Sequence, residues 1–107
     1  MTTFDKREEA FEKKYVIDEE LKFKSVTRRN KLLGLWAAEK LGKSGAEADA
    51  YAKEVIAAEF EDAHDDAVVR KVANDLAAKG ASLTDAEIRV RMDEFMAQAV
   101  AMVKAGL

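Results

Sequence analysis

Apolar positions recur at helical spacing along almost the whole 107-residue chain. The densest run is Arg28-Arg29-Asn30-Lys31-Leu32-Leu33-Gly34-Leu35-Trp36-Ala37-Ala38-Glu39-Lys40-Leu41-Gly42, which holds the only Trp. Val26, Leu33 and Trp36, widened by Leu32 and Leu35, predict a continuous helix over about 19–41. At ~1.5 Å rise per residue it runs about 34 Å, longer than any that follow. Gly34 sits inside it, where glycine costs ~1 kcal/mol relative to alanine. Close approach of another helix would offset that cost. Gly42 ends the helix, with Lys40 and Lys43 near its C-terminal dipole.

Three shorter patterns follow. Residues 46–60 align Ala48, Tyr51, Ala52, Val55, Ala58 and Glu59, flanked by Ile56 and Phe60. Residues 66–79 align Val69, Val72, Ala73 and Leu76. Residues 85–104 carry the stripe Ile88, Met92, Phe95, Met96, Ala99, Met102 and Val103. Ser44 with Glu47 and Thr84 with Glu87 have the spacing of capping boxes, and Asp62 or Asp65 is placed to cap the third helix. Short loops make neighbours antiparallel, so the pattern predicts an all-α four-helix bundle with one long first helix, occupying residues 19–107.

Residues 1–18 are different. Phe4, Phe11 and Tyr15 fall at i, i+7 and i+11 on one helical face, and the rest is charged. Continuing that phase lands on Asp18 and Lys22. A stripe this thin buries little, and an isolated helix of this length is marginal in water. The segment reads as a mobile, partly helical arm that orders when a partner covers the three rings. A plain extension of the next helix, packed on the body, is the alternative.

Composition narrows the chemistry. No proline and few glycines disfavour an all-β fold. No cysteine excludes disulfides and thiolate sites. No apolar run approaches the roughly 20 residues needed to span a bilayer, and Met1 to Ala10 is charged, unlike a secretory signal. A cytoplasmic protein is expected. His64 is the single histidine, and with no cysteine a triad or dyad that needs histidine plus a thiol has no thiol to use; no glycine-rich phosphate loop is present. An enzyme is not expected. Asp62, His64, Asp65 and Asp66 cluster, but at a helix junction where acids serve as caps, so no metal site is expected.

Charge is uneven although the net is only −3. Lys22, Lys24, Arg28, Arg29 and Lys31 form a basic stretch without acids. Glu59, Glu61, Asp62, Asp65 and Asp66 form an acidic stretch without Lys or Arg. The two blocks are either outward surfaces or partners inside the fold. With Phe23 among the cations, a small nucleic-acid-binding bundle is the alternative function; the acidic overall balance argues against it.

The runs FDKREEAFEKKYVIDEELKFK and RRNKLLGLWAAEKLG, then YAKEVIAAEFE, VVRKVANDLAAKG and IRVRM, resemble the ζ subunit of α-proteobacterial F-type ATP synthases, the ATPase-inhibitor subunit. The likeness covers essentially the whole chain. It implies a four-helix bundle behind an inhibitory N-terminal region. That region inserts into the catalytic head between catalytic and non-catalytic subunits, beside the rotor shaft, and blocks rotation in the hydrolytic direction. By the same resemblance Phe4, Phe11 and Tyr15 bury against the partner, Arg7, Glu8, Glu12 and Lys14 fix register by charge pairing, and Lys22, Arg28 and Arg29 are accessory contacts. It implies no required cofactor, weak adenine-nucleotide binding on the bundle, and a place at the inner membrane only through the synthase.

Overall fold

In a computed structural model of the protein, residues 19–61 and 65–107 are described. They form four α-helices: α1 (Glu19–Lys40), α2 (Gly45–Ala58), α3 (Asp66–Ala78) and α4 (Asp85–Lys104). A 3-10 turn, Glu59–Glu61, follows α2. No strand occurs among the described residues. The fold is an all-α bundle with α1 as its spine. Helix α1 packs chiefly on α2 and α4, and α3 closes the other side against α2 and α4.

The predicted stripes build the core. Leu33, Ala37 and Ala38 of α1, with Leu41 just past its end, meet Tyr51, Val55 and Ala58 of α2, Val69, Val72 and Leu76 of α3, and Ile88 and Met92 of α4. Each large side chain fully buried contributes roughly 1.5–3 kcal/mol. Trp36 is half-buried at the edge of this core, edge-on to Phe95 at 6.4 Å between centroids. In the second half of α4 the buried face shifts: Ala99 and Val100 are inside, while Met96, Met102 and Val103 are only half-buried. Polar pairs tie the layers at their margins. The Tyr51 hydroxyl donates to Asp75 at 2.8 Å, and Lys71 bridges Glu54 and Asp75.

Gly34 has the role its position suggests. A Cβ there would lie 2.6 Å from the Cα of Ala52, so α1 and α2 cross where only glycine lets their backbones meet. Gly42 and Gly80, both at φ +75°, end α1 and α3 in a conformation that side-chain-bearing residues rarely adopt.

The caps divide. Thr84 forms a full capping box with Glu87: its hydroxyl accepts from the Glu87 amide at 3.1 Å, and the Glu87 carboxylate accepts from the Thr84 amide at 3.3 Å. Ser44 is the N-cap of α2, but its side chain makes no capping bond; the expected Ser44–Glu47 box is not formed. Asp65 precedes α3 with helical backbone angles and makes no side-chain cap either, because its carboxylate faces Arg29 instead. Thr84→Ala should therefore destabilise the protein by about 1 kcal/mol, whereas Ser44→Ala should change stability by only a few tenths; urea unfolding of the two variants checks the contrast.

Candidate functional site

The first half of α1, the end of α2, the start of α3 and the end of α4 converge at one end of the bundle, just after residues 1–18. Phe4, Arg7, Glu8, Phe11, Glu12, Lys14 and Tyr15 lie outside the described residues, as do Asp62 and His64. The structure places the root from which those first residues extend.

That root is held by a buried ionic cluster. Arg29 is only 5% exposed. Its Nη1 and Nη2 donate to Oδ2 and Oδ1 of Asp65 at 3.1 and 2.8 Å, a two-pronged pair. Nη2 also reaches Oε1 of Glu59 at 2.9 Å, and Nε donates to Oδ1 of Asn30 at 3.1 Å. Asn30 is fully buried and donates its own amide to Glu59 at 3.3 Å. A planar guanidinium suits this arrangement, since its fixed fork matches a carboxylate face-on. One basic residue thus fastens α1 to the end of α2 and the start of α3.

Arg29, expected as an accessory contact with a partner, is placed as an internal clamp: its side chain faces inward, and it donates to Asp65, Glu59 and Asn30. At this pair the basic and acidic blocks face each other. Of the five cations, Arg29 is thereby withdrawn from any outward basic surface. Lys24 pairs with Glu20 at 3.0 Å, and Arg28 donates to the main-chain oxygen of Leu107 at 2.6 Å, tying α1 to the chain after α4. Lys22 is exposed.

The cluster sets two carboxyls apart. Burial first, then the hydrogen bond shared with Asp65, pushes Glu59 above its usual range. Burial alone would raise Asp65 as well, but the hydrogen bonds and charge of Arg29 overcome it and hold Asp65 below its usual value. The signs are opposite. As pH falls from neutral, Glu59 takes up a proton more readily in the folded than in the unfolded chain, so this group adds stability through its raised pKa. Asp65 keeps its charge to lower pH, and its contribution is lost only as pH falls from 3.8 through its depressed value. Urea unfolding at a series of pH values should show that Glu59→Gln removes the gain on mild acidification and that Asp65→Asn weakens the loss at the acid end.

Beside the clamp lies what the sequence pattern missed. Phe23 and Phe60, from α1 and the 3-10 turn, are 60% and 70% exposed and stand 6.5 Å apart between ring centroids. Phe60 reads in the sequence as the flank of a buried face. Among the described residues no group of His, Asp and Glu side chains is placed to hold a metal ion, and no helix is long and apolar enough to cross a membrane.

A family model for the ATPase inhibitor subunit zeta matches residues 1–102. The chain belongs to that family. The match takes in both the first eighteen residues and the bundle, and it makes the protein an inhibitor subunit that interacts with the ATP synthase. A protein solved by solution NMR is 49% identical, with a TM-score of 0.71 over 81% of this chain and 99% of that one. No curated protein matches the chain. A zeta subunit is a regulatory component.

Proposed function

We propose that the protein restrains ATP hydrolysis by the F-type ATP synthase by inserting residues 1–18 into the catalytic head, while residues 19–107 remain outside as a body too large to follow. The observation that carries this reading is the zeta-family match running through residues 1–102, arm and bundle together. The residues of the arm suit the task. Phe4, Phe11 and Tyr15 supply one apolar face, and buried aromatics are the usual anchors of an interface. Arg7, Glu8, Glu12 and Lys14 set register against charges of the partner. The arm gives up conformational entropy on binding, and α1, clamped by Arg29 and seated through Gly34, gives it a stiff attachment. Lys22 and Arg28 are the accessory cations at the root; Arg29 is not among them. The partner surface lies between catalytic and non-catalytic subunits beside the rotor shaft, where a wedge stops rotation in the hydrolytic direction and largely spares synthesis.

The test is direction. Added to an α-proteobacterial ATP synthase in sealed vesicles, the full chain should suppress ATP hydrolysis and leave proton-driven synthesis largely intact. Equal suppression of both would refute the one-way block, and unchanged hydrolysis would refute inhibition itself.

A further inference from the structure

Two phenylalanines left side by side in water need an account. Phe23 and Phe60 expose more than half of their surface each, yet they come from elements 37 residues apart in sequence and meet at 6.5 Å. Phe23 also forms one wall of a groove of about 360 Å³, lined further by Lys24, Thr27, Arg28, Val103 and Leu107. Phe23, Val103 and Leu107 give the groove apolar walls beside Thr27; Lys24 and Arg28 make it basic, and among the described residues no acidic side chain lines it.

The geometry points to a second contact with the synthase at this patch, in which the Phe23–Phe60 pair and its basic groove take an apolar side chain flanked by carboxylates on the outer surface of the head. This rests on the proposed insertion of residues 1–18. Position is the first argument. Phe23 is the fifth residue of α1, about 6 Å along its axis from Glu19, so a head that grips residues 1–18 brings its own surface close to the patch. Size is the second. The two rings expose on the order of 250 Å² between them, far short of the roughly 800 Å² per partner of a stable free-standing interface. A patch this small cannot recruit a partner alone. It can add to an interface already formed, because once the arm is bound the second contact is effectively intramolecular. Charge is the third: Lys24, 58% exposed beside its partner Glu20, and Arg28, bonded to the main-chain oxygen of Leu107, keep cations at the rim that favour an acidic partner surface over a basic one.

The experiment uses the full chain, with residues 1–18 intact, titrated against ATP hydrolysis by the synthase. Phe23→Ser together with Phe60→Ser should raise the half-inhibitory concentration at least about tenfold, the loss typical of truncated aromatic anchors. Inhibition at saturation should remain complete, because the arm still delivers the block. Both rings are exposed, so the melting temperature should stay near that of the parent. Lys24→Glu, which leaves the rings in place, should weaken inhibition severalfold and most at low salt. An unchanged half-inhibitory concentration in the double variant would overturn the proposal. So would tighter inhibition, which would make the chain's own residues 1–18 the occupant, or loss of self-association with inhibition intact, which would make it a second copy. Failure of the parent chain to inhibit would instead sink the insertion reading.

Discussion

Gly34→Ala is expected to destabilise the protein by about 1–3 kcal/mol, the usual cost of overpacking. Helix propensity alone predicts the opposite, a gain of up to ~1 kcal/mol. The steric effect wins because of what the new methyl meets. Its nearest neighbour, 2.6 Å away, is the Cα of Ala52, with the Ala52 Cβ at 3.1 Å and the Val55 Cγ2 at 3.3 Å. A backbone atom cannot swing aside as the end of a flexible side chain can. The two helices must separate, and separation loosens Leu33, Ala37 and Val55, all fully buried. For a domain of this size each 1 kcal/mol lowers the melting temperature by roughly 4–8 °C. Ala52→Gly should restore only part of the loss, since it removes the Cβ contact and leaves the closer one. Thermal unfolding decides: a Gly34→Ala protein as stable as the parent would mean that α1 and α2 do not meet as described.

The second large effect belongs to Arg29. Arg29→Met should cost about 2–4 kcal/mol, somewhat less than the 3–5 kcal/mol typical of breaking a fully buried ion pair, because the Glu59 and Asp65 side chains keep 20% and 42% of their exposure and water can reach them. Without the guanidinium, two carboxylates face each other beside a fully buried Asn30. Arg29→Lys should recover little. A single ammonium cannot reproduce the paired bonds to both oxygens of Asp65 together with those to Glu59 and Asn30. Arg29→Met combined with Asp65→Asn should be less destabilised than the sum of the two single variants, because the second change removes the charge the first leaves stranded. Additive losses in urea unfolding would mean that the pair does not couple.

What the sequence made legible, and what it did not, follows from how local each feature is. The Thr84–Glu87 box and the stops at Gly42 and Gly80 depend on neighbours a few residues away, and they stand where the pattern placed them. Gly34 was readable as a close approach, but not which helix it met. The two charge blocks could be seen to be complementary. Only the fold decides that one cation of the five, Arg29, turns inward across 30 and 36 residues of sequence, and that choice also removes Asp65 from its expected capping role. Phe60 failed for a geometric reason. Helix α2 stops at Ala58 and tightens into a 3-10 turn, where each residue turns about 120° rather than 100°. The stripe extrapolated from Tyr51 and Val55 loses phase there, and the ring that would flank the core points out beside Phe23. The arm residues Phe4, Phe11 and Tyr15 are carried by the sequence and by the family match alone.

The central claim is that residues 1–18 deliver inhibition and the bundle only carries them. Its most direct test compares the full chain with a protein that begins at Glu19, each titrated against ATP hydrolysis by an α-proteobacterial ATP synthase. The bundle is predicted to keep its cooperative unfolding and to lose inhibition at every concentration at which the full chain stops hydrolysis. A folded 19–107 protein that inhibits as strongly as the full chain would contradict the account and move the inhibitory surface onto the bundle itself.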